Sequence, residues 1–174
     1  MSTESWLTGI RISIAGGETV ATFLAAVTYF LLKNPAAYHR LQQEIRGRYK
    51  DGDEITAMSA QQLPYLQAVI SEGLRIYPPG SQGFPRTCPG ANIDGRWVPQ
   101  GVSDLMHYSY MRMLIDTVRK VEVYTSAWTV THDENNFHDP YAFKPERWLD
   151  PARKDNLEAS QPFSLGLRGC LGKK

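Results

Sequence analysis

The stretch FSLGLRGCLGKK, residues 163–174, constrains the fold and chemistry of this chain more than any other feature. Five of its residues form the pattern F-x-x-G-x-R-x-C-x-G: Phe163, Gly166, Arg168, Cys170 and Gly172. Average residue frequencies give this pattern a chance of roughly 10⁻⁷ per window. Glycines let the backbone approach a sulfur closely and adopt positive φ, which suits a thiolate that binds iron. The pattern alone leaves two interpretations of Cys170 open. It can be a buried free cysteine in a glycine-rich turn, or a metal-binding thiolate beside the cation of Arg168, which suits an anionic group of a cofactor.

Composition limits the classes of protein to which the chain can belong. Its 174 residues, 42% of them hydrophobic, are enough for one globular domain. The 19 Lys and Arg residues nearly balance the 18 Asp and Glu residues, so we expect no nucleic-acid partner. Only two cysteines occur, Cys88 and Cys170, and the sequence shows no charged start, apolar middle and small-residue cleavage site of the kind that we expect in a signal peptide. A disulfide framework is not expected, and Cys88 is interpreted as structural.

Three helices are predicted in the first half of the chain. The first runs from about Leu7 to Leu32, is apolar nearly all round, and is interpreted as a buried core helix. Its most apolar run, 19–32, is shorter than the about 20 residues that a membrane span requires. A second, amphipathic helix follows at about 36–48. The third contains Leu63, Leu66, Val69, Ile70 and Leu74, with Ser59 as its expected cap and the pair Pro78–Pro79 as its stop.

The sequence pattern changes from helical to strand-like after residue 80. Short strand-like pieces, NIDGRWVPQG and VEVYTSA, are punctuated by Gly and Pro in the manner of hairpins. The following stretch of about 30 residues, THDENNFHDPYAFKPERWLDPARKDNLEAS, is polar, aromatic and rich in proline, which is typical of an irregular coil. The pattern indicates a mainly α fold with a small β part.

The terminal pattern resembles the haem-binding loop of the cytochrome P450 superfamily, the haem-thiolate monooxygenases. The resemblance makes Cys170 the axial ligand of the iron in haem b. The stretch AGGET, 15–19, looks like the oxygen-activating part of the family's long helix, with Glu18 and Thr19 as the acid and alcohol pair. A hydroxyl at this position can perturb the helix and relay protons.

Two further motifs of the family occur in the expected order. Glu72 and Arg75 form the E-x-x-R pair, and their spacing puts them on one helix face. Arg147, in the element PERW, matches the third member of that structural group, whose planar fork suits a shared carboxylate. Arg86, in GFPRTCPG, resembles an arginine that contacts a haem propionate. His132 is interpreted as a surface or hydrogen-bonding residue without a catalytic role.

The resemblance divides the chain into an oxygen-activating helix (1–33), an E-x-x-R helix (58–79), β hairpins (80–130), and a coil with the haem-binding loop (131–174). Together these form an incomplete, C-terminal portion of the fold. The closest resemblance is to fungal microsomal members. It implies NADPH-cytochrome P450 reductase as electron donor, O₂ and an apolar small molecule as substrates, and the endoplasmic reticulum membrane as the location of the full-length protein. We expect no membrane anchor in this chain.

Residues 102–120 interrupt the family pattern. Removing them leaves VPQGVEVYTSAWTVTHD, which restores the P-x-G-x-x-V spacing of a hairpin. Because Val102–Ser103 can be encoded by a consensus intron start, we interpret these residues as a retained intron. A genuine insertion at a hairpin tip is the alternative.

Two other functional interpretations stay open at this point. The chain can be a truncated, catalytically inactive product of a pseudogene or a mispredicted gene. A structural zinc or redox site could use Cys88 and Cys170 with a histidine, but no C-x-x-C or H-x-x-x-H spacing supports it.

Overall fold

A computed structural model describes residues 3–83, 86–93, 95–100, 122–123 and 125–173; the side chains of 3–12, 86, 122, 123 and 168 are outside the description. The predicted insertion at 102–120 lies outside the described residues. The chain forms two compact units. One consists of Met1–Ser81 and Ala127–Lys174, and the other of Gln82–Ser126.

The first unit is built on α1 (Thr3–Lys33), α2 (Pro35–Arg48), the short α3 (Ala57–Ala60), α4 (Pro64–Ile76) and α5 (Ala127–Thr131). Short 3₁₀ turns punctuate the coil after α5, at Pro145–Trp148, Leu157–Ala159, Gly166–Arg168 and Leu171–Lys173. Helices α1 and α2 and the turn Pro145–Trp148 pack against α4. The mainly α architecture predicted from the sequence is confirmed.

Helix α4 forms the centre of the first unit. It begins at Pro64, whose missing N–H costs nothing in the first turn. The carboxylate of Glu44 on α2 accepts hydrogen bonds from the N–H groups of Tyr65 (2.8 Å) and Leu66 (2.9 Å), and so caps α4 from a neighbouring helix. The predicted cap is wrong, because Ser59 belongs to α3, where it forms a capping box with Thr56.

A glycine lets α1 and α4 approach closely. A Cβ atom added to Gly73 would lie 2.9 Å from the ring of Phe23 and 3.1 Å from Val27 Cγ2. The helix therefore accepts the roughly 1 kcal/mol that a mid-helix glycine costs relative to alanine. The hydrophobic core forms at this contact; its buried members are Val27, Ala37, Leu41, Tyr65, Val69, Ile76 and Phe143.

The interpretation of α1 as a buried helix is wrong. From Ser13 onward only Val27 is buried, and Ile14, Val20 and Leu24 are more than half exposed. The helix contributes one face to the core and leaves its other apolar side chains on the surface. The length of its apolar run, predicted as 19–32, was also underestimated: Ser13–Lys33 spans 21 residues and is apolar enough to cross a membrane, a test that the core helix of a soluble protein also passes.

The second unit contains the predicted β part. Strands β1 (Arg86–Thr87) and β4 (Glu122–Val123) pair antiparallel, as do β2 (Ala91–Ile93) and β3 (Arg96–Val98). The turn between β2 and β3 includes Gly95 at φ +74°, a conformation that suits glycine. Cys88 is buried, with its Sγ 3.5 Å from the carbonyl oxygen of Val98.

Candidate functional site

Glu72 collects hydrogen bonds from four residues. Its Oε1 accepts from Arg75 Nη2 (2.8 Å), from the backbone N–H of Lys144 (2.9 Å) and from Arg147 Nε (3.2 Å). Its Oε2 accepts from Arg75 Nε (2.8 Å) and Trp148 Nε1 (2.9 Å). The side chain is fully buried. Helix α4 thus presents a carboxylate around which the coil of the C-terminal third is arranged.

Arg75 uses its remaining donors to hold that coil. Its Nη1 donates to the carbonyl oxygens of Thr131 (2.9 Å) and Pro140 (2.8 Å), and its Nη2 donates to Ala142 (3.2 Å). Thr131 ends α5, whereas the other two carbonyls belong to the loop that precedes the PERW turn. One buried guanidinium therefore fixes a coil that has little regular backbone pairing of its own.

Arg147 joins the same carboxylate from the PERW turn. It also donates from Nη1 to the carbonyl of His138 (3.1 Å) and to a carboxylate oxygen of Asp155. Burial raises the pKa of Asp155, but the hydrogen bonds from His138 N–H and Arg147 outweigh burial and leave the pKa below its usual range. We refer to Glu72, Arg75, Arg147 and Asp155 as the charge cluster.

The cysteine loop, residues 163–172, follows in the chain. Cys170 is a free, exposed cysteine whose N–H donates to the carbonyl of Phe163 (2.8 Å). Gly166 adopts φ +69°, as expected for a glycine-shaped loop, and nothing lies within 4 Å of a Cβ built there. A Cβ at Gly172 would lie 3.7 Å from Cys170 Sγ, an ordinary contact. Leu167 and Leu171 are almost entirely exposed.

Within the described part of the chain, no hydrogen bond joins the other predicted site residues to the cysteine loop. Glu18 and Thr19 are exposed on α1, and Thr19 Oγ1 donates to the carbonyl of Ala15 (2.7 Å) in its own helix. The side chains of Arg86 and Arg168 lie outside the description. The structure thus brings together Glu72, Arg75 and Arg147, and brings Phe163 to Cys170.

Sequence reasoning missed three residues of the charge cluster and its surroundings. Trp148 donates to Glu72, Asp155 pairs with Arg147, and the fully buried ring of Phe137 lies under both guanidiniums at 5.1 and 5.8 Å from its centroid. Trp148 is part of the PERW element and could have been found from it. A single aspartate and a single phenylalanine in an irregular coil carry no comparable signal.

His132 is hydrogen bonded as predicted but is not at the surface. It is 8% exposed, its Nδ1 lies 2.9 Å from the carbonyl of Trp128, and its ring stacks on Trp128 at 3.7 Å. Its Nε2 is buried without a partner among the described residues. Burial lowers the pKa of His132, and nearby Arg75 adds to this effect. We assign it no catalytic role.

Comparison with known proteins settles the family. The model of the cytochrome P450 family matches residues 6–113 and 119–174. The chain belongs to the cytochrome P450 family. It is 58% identical over 160 residues to cytochrome P450 monooxygenase ORF9 of Penicillium roqueforti, covering 92% of this chain and 28% of that protein. It is 48% identical over 162 residues to monooxygenase BOT4 of Botryotinia fuckeliana, covering 93% and 27%.

Solved P450 structures agree with this assignment. A zebrafish cytochrome P450 with abiraterone matches with a TM-score of 0.71 and 26% identity, over 94% of this chain and 34% of that one. A retinoic acid bound cyanobacterial P450, CYP120A1, gives a TM-score of 0.68 at 25% identity, with the same coverage of 94% and 34%. The chain spans about 28% of the length of the curated relatives named above. The resemblance and the incomplete P450 fold expected from the sequence are confirmed.

Membership of this family implies a haem cofactor, and the residues around Cys170 fit one. The thiol is exposed and free, Gly166 leaves open space where a side chain would stand, and Leu167 and Leu171 offer apolar surface. Haem requires an axial ligand and an apolar surround, and a thiolate is among its ligands in proteins. The described residues contain no group of three or more His, Cys, Asp or Glu that could hold a metal ion, so the zinc alternative gains no support.

Proposed function

We propose that the chain is the haem-binding part of a monooxygenase that inserts one oxygen atom of O₂ into an apolar small molecule. Haem b is the form of the cofactor that we propose. The observation that carries the proposal is the exposed Cys170 thiol in its glycine-shaped loop, which comes after the buried, ion-paired charge cluster in the chain. In this arrangement, the charge cluster that supports the coil comes before the cysteine that would bind the iron, which is the order expected for a chain of the P450 family.

Bound haem supplies an iron that activates O₂, and electron donation from a thiolate ligand favours cleavage of the O–O bond. In this proposal Cys170 supplies that thiolate, and the N–H of Cys170 stays paired with Phe163 so that the loop keeps its shape. Arg168 and Arg86 are the residues that would pair with the propionates. Glu72, Arg75 and Arg147 hold the coil from which the loop emerges.

Glu18 and Thr19 are proposed to deliver protons. Thr19 Oγ1 donates to the Ala15 carbonyl, which leaves its lone pairs able to accept a hydrogen bond from another donor. Glu18 precedes it and is exposed, so its carboxyl group can exchange protons with water. A hydroxyl bonded to the carbonyl of its own helix can reorient without breaking a long-range contact.

Family membership implies O₂ and a redox partner; we propose NADPH-cytochrome P450 reductase as that partner. The relatives named above are fungal, which supports the endoplasmic reticulum membrane as the location of the full-length protein. We propose that the apolar helix α1 acts at the haem and is not a membrane span, because it contains the stretch AGGET.

The test is reconstitution of the 174-residue chain with haemin, followed by reduction under carbon monoxide. We expect a thiolate-type Soret band that Cys170→Ala abolishes and that Cys88→Ala retains, because only Cys170 is exposed. Turnover with the reductase then tests activity. Absence of the thiolate-type band at every haem concentration would instead support the catalytically inactive fragment.

A further inference from the structure

The charge cluster needs a second carboxylate. Glu72 alone faces two guanidiniums, and the side chains of Glu72, Arg75 and Arg147 are all at most 4% exposed. A buried charge without a counterion is strongly destabilising. Asp155, whose side chain is 9% exposed, supplies the missing negative charge through its pair with Arg147. With it, carboxylates and guanidiniums are equal in number.

Asp155 also fastens two separate parts of the coil. Its Oδ1 accepts a hydrogen bond from the N–H of His138 (2.7 Å), and the N–H of Asn156 donates to the carbonyl of Asn136 (2.7 Å). These contacts join residues 155–156 to residues 136–138. Arg147 hydrogen bonds to both of these segments, since it donates to Asp155 and also to the carbonyl of His138.

Residues 155–156 are the last described residues before Cys170 that hydrogen bond to the preceding coil. Among the described residues, the hydrogen bonds of 157–173 connect this stretch only to itself or to Asn156. They include the pairs Ala159 to Asn156 and Cys170 to Phe163. A displacement of residues 155–156 would therefore release the cysteine loop from the hydrogen-bonded network centred on α4.

We propose that Asp155 is a positioning residue that acts through Arg147 to tie the segment leading to the cysteine loop to the charge cluster. Its importance for haem ligation rests on the proposed function. Its effect on the loop itself does not, so the two can be tested apart.

Hydrogen–deuterium exchange of the 174-residue chain, read by mass spectrometry, measures the holding effect. Asp155→Asn keeps an acceptor for His138 N–H but removes the charge. We expect exchange in residues 155–170 to rise roughly tenfold or more, because Arg147 then lacks a counterion. Asp150→Asn is the matched control: it changes an exposed carboxylate in the same coil that also accepts a backbone hydrogen bond, from Ala152 N–H, and we expect no change.

Two further variants show whether Asp155 acts through Arg147. In an Arg147→Gln background, Asp155→Asn should add little to the exchange rate, since the charge that it balanced is gone. Asp155→Glu keeps the charge and should restore part of the protection from exchange. If the shape of the aspartate side chain were what matters, the longer glutamate would not restore it. Peptides from α4 in the same experiment detect global unfolding. If Asp155→Asn unfolds the chain, the protection that Asp155→Glu keeps in residues 155–170 decides whether the charge at this position holds the segment.

Three outcomes overturn the proposal: equal exchange in Asp155→Asn and Asp150→Asn, additive effects with Arg147→Gln, or a wild-type chain in which 155–163 exchanges like an unstructured peptide. After haem loading, Asp155→Asn should lower the thiolate-type fraction of the Soret band relative to Asp150→Asn. A wild-type chain without that band contradicts the proposed function, while the exchange data still decide on Asp155.

Discussion

The charge cluster and the cysteine loop both involve the C-terminal third of the chain but are held in opposite ways. The side chains of the cluster are nearly inaccessible, and the Glu72 carboxylate accepts five hydrogen bonds. In the loop, Cys170 is exposed and so are its leucine neighbours at 167 and 171. Among the described residues, the hydrogen bonds of the loop reach no farther along the chain than Gln161 and Lys173.

This difference separates the folding of the region from its chemistry. Buried charges are costly unless every donor and acceptor is paired, so the cluster accepts few changes. An exposed loop shaped by glycines has few contacts to lose, and substitutions there are expected to affect ligand binding before stability. Each variant below tests this division, and the expected change in unfolding free energy decreases from one to the next.

Glu72→Gln should have the largest effect on stability. The amide removes the charge that balances Arg75 and replaces acceptor lone pairs with N–H donors that face other donors. We expect a loss of about 3–5 kcal/mol in the free energy of unfolding, measured by urea denaturation. Glu158→Gln, at an exposed position, serves as the control, with an expected change within about 0.5 kcal/mol. Similar values for both variants would mean that the cluster does not stabilise the fold.

Arg147→Lys should be the next most damaging change. Lysine keeps the charge but lacks the planar fork with which Arg147 contacts Glu72, Asp155 and the carbonyls of His138 and Asp139. Loss of these charge-assisted hydrogen bonds should cost about 1.5–3 kcal/mol. Arg153→Lys is the matched control, because the Arg153 side chain donates an exposed hydrogen bond to the carbonyl of Asp150. A destabilisation no greater than that of the control would show that charge alone holds the cluster.

Sequence reasoning predicted those parts of the region whose signal is local. The spacing of Glu72 and Arg75 puts both on one face of α4, and the glycine at 166 predicted a loop with positive φ, which the backbone has. The helices were found from apolar periodicity because a helix repeats its pattern over many residues. The roles of Arg147 and Cys170 came from family resemblance, since neither has a local periodic signal.

The rest depends on contacts between residues far apart in sequence. Asp155 meets His138, and Glu44 caps a helix that begins at Pro64. No local pattern encodes such pairs in an irregular coil or across two helices. The exposure of α1 was mispredicted for a related reason: an apolar composition indicates that a helix can be buried, but the neighbours that bury it are set by tertiary packing.

Tyr65→Phe tests a contact between α4 and the PERW turn outside the charge cluster, where the carboxylate of Glu146 is more exposed. The Tyr65 hydroxyl donates to Glu146 Oε1 (2.8 Å). Burial raises the pKa of Tyr65, and the hydrogen bond to Glu146 raises it further. Removing this bond should cost about 1 kcal/mol. The control is Tyr38→Phe at an exposed position, which should change little. Equal unfolding free energies for the two variants would show that this bond contributes nothing to the stability of the fold.

The lowered pKa of His132 predicts a shallow loss of folding stability in mild acid. Because its pKa is lowered in the folded chain, the unfolded chain binds a proton more readily. Stability should therefore be complete above the usual histidine pKa of about 6.5 and should fall as pH decreases from there toward the folded pKa. His132→Asn should flatten this part of the curve of unfolding free energy against pH, whereas His39→Asn, at an exposed histidine, should not. A curve that keeps its slope in His132→Asn would assign the dependence to another group.

Leu167→Ser should leave stability almost unchanged and alter only ligand binding. Leu167 is fully exposed, so the free energy of unfolding should change by no more than about 0.5 kcal/mol. If the loop packs against haem, burial of this leucine contributes about 1.5–3 kcal/mol to binding, so haem affinity should fall roughly tenfold or more. Met58→Ser, at an exposed apolar residue of α3, should change neither quantity. Unchanged haem affinity in Leu167→Ser would show that the leucine does not contact the cofactor, and a large loss of stability would show that the loop supports the fold as the charge cluster does.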